Sequence, residues 1–446
     1  DYYYKGNPLE AITKVLHRVE GSYALGIMFA DQPDKIFAAR KDSPLIVGKS
    51  DNGSFIASDV PAILKYTRTV YYVDNQEVVE LQQGSLRFFS VDEEEIEKQP
   101  VTIDWDANAA EKAGYEHFML KEIYEQPKTI NDTISPRIKD NDIVIEELNM
   151  SDEEIKEITK IHIVACGSAY HTGVTAKYVI EGLARIPVEV DVASEFRYRD
   201  PILQKGNMVI VISQSGETAD TLAALRESRE RGFKVLGIVN VVGSSIAREA
   251  DNVFYTLAGP EIAVATTKAY STQLIASYCL AIQFAKVRGE LTEVQCADML
   301  AELETLPDKV TRILDDKERI QWFAAKQATM RDTFFIGRGI DYAVSLEGSL
   351  KLKEISYIHS EAYPAGELKH GTISLIEDGT LVIGTLTQDA LYEKTVSNMV
   401  ECKSRGAYLM GLTTFGNYNT EDTADFTVYI PKTDPHFATS LAVIPL

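Results

Sequence analysis

The second half of the chain repeats the pattern of its middle at a nearly constant offset. Residues 163–170 align with residues 335–342, and residues 226–237 align with residues 400–411. In each copy, short apolar runs alternate with helical patterns. This alternation is typical of a mostly parallel sheet with helices on both faces. The sequence therefore predicts an α/β protein that contains two tandem, doubly wound parallel-sheet domains.

The most informative local motif follows a buried strand of the first copy. Residues 208–212 are all apolar, which is typical of a strand buried on both faces. A hydroxyl-rich turn and then a helical pattern over residues 219–231 come next. A helix N-terminus offers unpaired N–H groups and attracts anions, so this turn predicts a phosphate site. The alternative is an ordinary helix capped by Ser or Thr. The polar side chains of the turn are Ser213, Gln214, Ser215 and Thr218.

A second polar segment is expected beside this turn. Cys166, Gly167 and Ser168 follow the first strand of the first copy, and ligands of parallel sheets bind beyond the carboxyl ends of the strands. The two segments should therefore converge. The second copy has residues 383–389 at the position of the turn, without the serines. We expect the phosphate site in the first copy alone.

The charge and the cysteines exclude several classes of function. The chain has 67 acidic and 45 basic residues and a formal net charge of −22, which argues against nucleic acid or an anionic membrane as a partner. The four cysteines lack zinc-finger or redox spacing, so a reducing cytoplasm is expected. No apolar run is long enough to span a membrane.

Residues 1–105 have a different pattern, with one short helix over residues 8–19 followed by strand-like runs separated by turns. An acidic stretch over residues 92–110 is interpreted as a linker, and residues 115–130 predict a long helix. The chain begins without Met and ends in an apolar run, so both ends are expected to be cut. The predicted strands are residues 23–29, 35–39, 54–58, 69–73, 77–81 and 84–89.

Three charged residues of the second copy are candidates for proton transfer. Glu347, Lys351 and Glu354 share the spacing of one helix face. A carboxylate beside an ammonium group, partly withdrawn from water, suits a proton shuttle at carbon. The alternative is a solvated face of ion pairs. His370 lies in a glycine-flanked loop, where an imidazole can reach a substrate or remain a plain surface group. The other histidines are interpreted as structural, and Cys166 as a packing residue.

The motif Ser-x-Ser-Gly-x-Thr after a strand resembles the phosphosugar-binding domains of the sugar isomerase (SIS) family. The tandem copies, with residues 349–358 and 361–371, more specifically resemble the isomerising glutamine–fructose-6-phosphate aminotransferases. Residues 19–26 are similar to part of the N-terminal glutaminase domain of that family. The resemblance implies the following division: 1–105, the C-terminal part of a glutaminase domain of the N-terminal-nucleophile α+β type; 106–150, a linker and helical lead-in; 151–295, the first SIS domain; 296–446, the second, C-terminally truncated.

The resemblance also implies a reaction. Ammonia from glutamine reacts at C2 of fructose 6-phosphate, and a proton moves between C1 and C2 to give glucosamine 6-phosphate, with no cofactor and no metal. The base would be Glu354, with Lys351 and Glu347 nearby, and His370 from the neighbouring subunit of a homodimer would open the sugar ring. The phosphate would lie on Ser213, Gln214, Ser215 and Thr218 with Ser168 assisting, and the sugar chain on Cys166, Gly167, Val264 and Thr266.

This chain departs from the family pattern at its start. The glutaminase of that family uses an N-terminal cysteine, whereas the first cysteine here is Cys166. We therefore expect the chain as written to bind the sugar phosphate without hydrolysing glutamine. Two alternatives remain. One is a deglycase or amino-sugar isomerase with the same tandem architecture, and the other is a sugar-phosphate sensor without catalysis.

Overall fold

The computed structural model describes residues 2–105 and 111–446. Residues 2–105 form a helix and two antiparallel sheets. The helix begins at Pro8, after Asn7, because the Asn7 side chain accepts a hydrogen bond from the backbone of Glu10. It ends at Leu16, earlier than predicted. The elements are α1 (Pro8–Leu16), β1 (Tyr23–Phe29), β2 (Gln32–Lys41), β3 (Ile46–Ser50), β4 (Gly53–Ala57), β5 (Thr69–Tyr72), β6 (Glu77–Gln82), β7 (Ser85–Ser90), β8 (Glu95–Ile96) and β9 (Val101–Thr102).

The strand orders of these two sheets are β1-β2-β6-β7-β8 and β4-β3-β5-β9. All six predicted strands are present, and β3 was not predicted because Gly48 and Lys49 interrupt its apolar pattern. The linker interpretation of residues 92–110 is wrong for its first part, because β8 pairs with β7 and β9 pairs with β5. The remainder of that stretch, residues 106–110, lies outside the described residues.

A helical segment leads from these sheets into the first copy. The predicted helix is present with later bounds, and it continues through Pro127. A capping box between Ser151 and Glu154 begins the last helix of this segment. The elements are α2 (Phe118–Ile134), β10 (Ile138–Lys139), β11 (Asp142–Ile143) and α3 (Asp152–Lys156).

The first copy is a parallel five-stranded sheet with strand order β13-β12-β14-β15-β16. Its middle strand is buried along nearly its whole length, as expected for a strand covered on both faces. The elements are β12 (Lys160–Ala165), α4 (Ser168–Leu183), β13 (Val188–Val192), α5 (Ala193–Phe196), β14 (Asn207–Ser213), α6 (Ala219–Glu230), β15 (Lys234–Val239), α7 (Ser245–Glu249), β16 (Asn252–Tyr255) and α8 (Lys268–Arg288).

The second copy has the same topology, with strand order β18-β17-β19-β20-β21 and parallel pairing throughout. The elements are α9 (Glu293–Glu304), α10 (Leu306–Leu314), α11 (Lys317–Gln327), β17 (Asp332–Gly337), α12 (Ile340–Ser356), β18 (His359–Pro364), β19 (Leu381–Leu386), α13 (Tyr392–Lys403), β20 (Tyr408–Thr414), β21 (Phe426–Ile430) and α14 (Ala438–Ala442).

The repeat extends to the backbone conformation before the helix that follows the first strand of each copy. Gly167 has φ 58° and ψ −133°, and Gly339 has φ 59° and ψ −130°. A residue with a Cβ rarely adopts this conformation, which explains a glycine at the same place in both copies. The predicted pair of doubly wound α/β domains is therefore confirmed.

The two copies share one hydrophobic core, which brings their functional helices together. Helix α8 is buried on nearly all sides, and its apolar residues belong to the same cluster as Ile163 of the first copy and Phe335 of the second. Helix α4 packs against both α8 and α12. Within the described parts of the chain, no helix is long and apolar enough to cross a membrane.

Candidate active site

A cavity of about 270 Å³ lies at the carboxyl edge of the first sheet and is closed on one side by α12 of the second copy. The predicted convergence of the two strand ends is therefore present. The lining residues are Cys166, Ser168, Ala169, Ile212, Ser213, Gln214, Ser215, Thr218, Glu261, Ala263, Val264, Thr266, Gln273, Lys351 and Glu354.

Two hydroxyl groups of the turn over residues 213–218, called the serine turn below, are fixed by hydrogen bonds within the turn. The Oγ of Ser213 accepts a hydrogen bond from the N–H of Gly216 at 3.0 Å and lies 2.9 Å from Oγ1 of Thr218. Because Thr218 bonds to Ser213, its side chain does not cap α6. The N-terminal N–H groups of α6 therefore remain available to an anion. Helix α4 starts at the same cavity after Gly167, which has no side chain to cap it.

The opposite wall of the cavity carries an ion pair from α12. Nζ of Lys351 lies 2.5 Å from Oε2 of Glu354 and 3.4 Å from Oε1 of Glu347. Lys351 is nearly buried, whereas Glu354 is about one-third exposed toward the cavity. The three predicted residues therefore lie on one helix face. Two of them reach the cavity, and Glu347 does not.

Glu347 is buried against the first copy instead. Its Oε1 accepts a hydrogen bond from Oγ of Ser168 at 2.7 Å, and its Oε2 lies 2.7 Å from Nδ1 of His171. Only 1% of the Glu347 side chain is exposed. This carboxylate therefore joins α4 of the first copy to α12 of the second.

Two carboxylates, the buried Glu122 and the partly buried Glu261, hold the loop over residues 261–267, which lines the cavity. Glu261 accepts hydrogen bonds from Oγ1 of Thr266 at 2.6 Å and from the N–H of Thr267 at 2.9 Å. Glu122 on α2 accepts a hydrogen bond from the N–H of Ile262 at 2.6 Å. Burial raises the pKa of both Glu122 and Glu261. The loop thus keeps a fixed shape while Val264, at its tip, is fully exposed.

The N-terminal sheets contact the outer side of the serine turn. A guanidinium nitrogen of Arg40 lies 3.5 Å from Oε2 of Glu217, a residue of the turn, and the side chains are 3% and 10% exposed. Glu217 also accepts hydrogen bonds from Ser245 at the start of α7. Arg248 of α7 in turn pairs with Asp74 at 2.8 Å. The turn is therefore held between the first copy and the N-terminal sheets.

Comparison with known proteins agrees with this geometry. The SIS domain family model matches residues 154–283 and 329–446. The chain is 56% identical over its whole length to the glutamine–fructose-6-phosphate aminotransferase (isomerizing) of Caldanaerobacter subterraneus subsp. tengcongensis, and it covers 74% of that protein. The chain belongs to the isomerising glutamine–fructose-6-phosphate aminotransferase family. The predicted family is confirmed.

Further relatives agree with this assignment. The aminotransferase of Clostridium acetobutylicum is also 56% identical, with the same coverage of both chains. The solved C-terminal domain of the glucosamine–fructose-6-phosphate aminotransferase from Francisella tularensis is 40% identical, with a TM-score of 0.72. It covers 75% of this chain and 95% of its own. The glucosamine-6-phosphate deaminase of Thermotoga maritima, 24% identical with a TM-score of 0.56, shares the fold.

In this member of the aminotransferase family, the predicted residues divide into two groups. Most of them line the cavity, whereas Gly167, Glu347 and His370 do not. His370 is exposed on a 3-10 helix after β18 and is not among the residues that line the cavity of its own chain. The sequence interpretation missed His171, which was grouped with the structural histidines, and Glu261, which is partly buried in the lining of the cavity. Neither has a motif that reveals its partner, because each depends on packing between distant segments.

In the second copy, an aspartate side chain occupies the position that corresponds to the cavity of the first. Asp341, two residues after Gly339, corresponds to Ala169 of the cavity. Its Oδ2 accepts a hydrogen bond from the N–H of Thr387 at 2.9 Å, and its Oδ1 accepts one from the Thr387 hydroxyl. Burial raises the pKa of Asp341 to about 6. That phosphate binds to the first copy alone stays a prediction.

Proposed function

We propose that this protein aminates and isomerises fructose 6-phosphate to glucosamine 6-phosphate with ammonia derived from glutamine, the reaction EC 2.6.1.16. One observation carries the proposal. The same cavity has the hydroxyl-rich serine turn on one wall and the Lys351–Glu354 ion pair on the other. A ketose phosphate held by its phosphoryl end would present its carbonyl region to that pair. Relatives that match the whole chain carry the same activity in their names.

The phosphoryl group is proposed to bind to the serine turn and to the N-termini of α4 and α6. Helix N-termini suit a phosphate because their N–H groups and dipoles favour negative charge. This matters in a chain with a formal net charge of −22, where the anion must be attracted locally. The proposed phosphate ligands are Ser213, Gln214, Ser215, Thr218 and Ser168, and the proposed sugar contacts are Cys166, Gly167, Val264 and Thr266.

The proton transfer is assigned to Glu354. Ammonia adds to the C2 carbonyl with loss of water and forms an imine at C2. Glu354 then takes a proton from C1 and returns it to C2, and the proton of the C1 hydroxyl is transferred to the imine nitrogen. The products are an amine on C2 and an aldehyde at C1. Lys351 lies 2.5 Å from Glu354 and would keep this carboxylate oriented and its charge balanced. Its exposure to the cavity gives Glu354 access to the sugar.

The remaining assignments concern assembly and compartment. His370 is exposed and lies outside the cavity of its own chain, so we place it in the ring-opening role as His370 of the partner subunit in a homodimer. The proposed domains are a glutaminase portion over 1–105, a linker and lead-in over 106–150, and SIS domains over 151–295 and 296–446. The four cysteines are free, which supports a cytoplasmic location.

Replacing Glu354 tests the proposal. Glu354→Gln should bind fructose 6-phosphate like the wild type, because the serine turn is unchanged. Formation of glucosamine 6-phosphate, with ammonium as nitrogen donor, should fall about 10²–10⁴-fold. Lys353→Gln on the same helix is the matched control, since Lys353 does not line the cavity, and it should keep full activity. A wild-type protein that binds the sugar without turnover would favour the sensor interpretation, and a Glu354→Gln variant with full activity would reject the assigned base.

A further inference from the structure

A buried contact between the two copies lies directly behind the proposed catalytic pair. Ser168 and His171 stand on the first turn of α4, and both reach the carboxylate of Glu347 on α12. They lie 179 and 176 residues away from it in sequence. The ring of Tyr170 packs edge-on against the imidazole, with 5.8 Å between ring centroids. The position of His171 is therefore fixed by its own neighbour and by the carboxylate of Glu347 on a distant helix.

Every oxygen of the Glu347 carboxylate has a partner in this contact. Oε1 faces Ser168 and Lys351, and Oε2 faces Nδ1 of His171. An ionised carboxylate can only accept hydrogen bonds, so Nδ1 of His171 is the donor. A buried carboxylate is tolerated when its oxygens are hydrogen-bonded and its charge is paired. Loss of one donor therefore strengthens the interaction of the Glu347 carboxylate with its remaining partners.

Lys351 connects this contact to the cavity. Its Nζ is shared between Glu354 at 2.5 Å and Glu347 at 3.4 Å. With His171 in place, the Glu347 carboxylate accepts its short hydrogen bonds from α4, and Lys351 stays close to Glu354. Without His171, the buried carboxylate would draw Lys351 toward itself and away from Glu354. The proton-transfer pair would then no longer be aimed at the sugar.

We propose that His171 is a positioning residue for the proton transfer, which acts through Glu347 to hold Lys351 against Glu354. The inference rests on the function proposed above, because it assigns a purpose to the same pair. His171 itself does not line the cavity and need not contact the substrate. Its removal should therefore lower the turnover number and leave binding of the sugar phosphate unchanged.

The variants His171→Ala and His171→Asn separate positioning from general stability. Asparagine can place an amide N–H near the position of Nδ1, whereas alanine offers no donor. His171→Ala should lower kcat on the order of 10–100-fold, the scale of a catalytic group displaced by about 1 Å, with KM for fructose 6-phosphate changed less than about twofold. His171→Asn should recover most of kcat. His17→Asn is the matched control, because His17 lies at the end of α1, and it should leave both constants unchanged.

A double-mutant cycle with Glu347→Gln tests whether the effect passes through Glu347. If it does, His171→Ala combined with Glu347→Gln should lower kcat no further than Glu347→Gln alone. If the fold losses of kcat in the two single variants multiply in the double variant, the inference is overturned. A rise in KM equal to the fall in kcat in His171→Ala would also overturn it. If the alanine variant does not fold, His171→Asn with wild-type folding and strongly reduced kcat would equally overturn it.

The proposed function and this inference fail in different ways. A wild-type protein without turnover rejects the proposed function and, with it, the inference. An active wild type whose kcat is unaffected by His171→Ala rejects the inference alone. An active wild type with reduced kcat, constant KM and recovery by asparagine supports both.

Discussion

Gly216 in the serine turn has a backbone that only glycine adopts easily, at φ +67°. A Cβ at this position would lie 2.0 Å from Oγ and 2.5 Å from Cβ of Ser244. Gly216→Ala therefore combines two costs. A left-handed backbone costs a residue with a Cβ about 1–2 kcal/mol, and the clash adds about 1–3 kcal/mol. The free energy of unfolding should fall by roughly 2–5 kcal/mol.

Two further variants separate these costs. At Gly232, where φ is +83°, an added Cβ would meet no heavy atom within 4 Å, so Gly232→Ala should lose only the backbone part, about 1–2 kcal/mol. Ser244→Gly added to Gly216→Ala removes both clashing atoms, and the next neighbour, Val239, lies at 3.6 Å. Oγ of Ser244 has no hydrogen-bond partner among the described residues, and glycine is a tolerable N-cap. The double variant should therefore recover the clash part.

Urea unfolding of the four proteins measures these differences, and calorimetric titration with fructose 6-phosphate measures the consequence for the site. Gly216→Ala should weaken sugar-phosphate binding, because the turn must shift away from Ser244. Gly232→Ala should leave binding unchanged. Equal losses of unfolding free energy in Gly216→Ala and Gly232→Ala would refute the steric argument, and unaltered binding by Gly216→Ala would refute the assignment of the turn to the phosphate.

Two further predictions concern buried charges. The pKa of Asp341 is raised from 3.8 to about 6, so the native state binds its proton more tightly than the unfolded chain. The protonated carboxyl therefore stabilises the native state fully below pH 3.8, and this contribution, roughly 3 kcal/mol, is lost as the pH rises to about 6. In urea unfolding, Asp341→Asn should remove this pH dependence of the free energy of unfolding. Arg40→Met should lower the free energy of unfolding by about 3–5 kcal/mol, because Glu217 loses its buried partner. Adding Glu217→Gln should recover part of that loss, and a larger loss in the double variant would contradict the pairing.

The architecture could be predicted from the sequence because it depends on local patterns that recur. The apolar run before Ser213 and its counterpart in the second copy each mark a buried strand, and the repeated alternation of strands and helices predicts the parallel sheets. The helix face that carries Lys351 and Glu354 follows from spacing alone. These parts of the cavity could therefore be predicted from the sequence.

Features that depend on contacts between distant segments could not be predicted. His171 has no motif around it, and its partner Glu347 lies 176 residues away on another helix. The contacts of Glu261 depend on how its loop packs against α2, which its own residues do not reveal. Strands β8 and β9 have two residues each, too few for an alternating pattern within an acidic stretch.

The carboxylate of Asp341 shows how a duplicated unit can diverge without changing shape. Gly167 and Gly339 keep the same backbone conformation. The first half nevertheless has an open cavity after its glycine, whereas in the second half the Asp341 carboxylate bonds to the N–H of Thr387. A comparison of backbone shape alone would predict the same binding property for both halves. The side chain at one position, alanine in the first half and aspartate in the second, tells them apart.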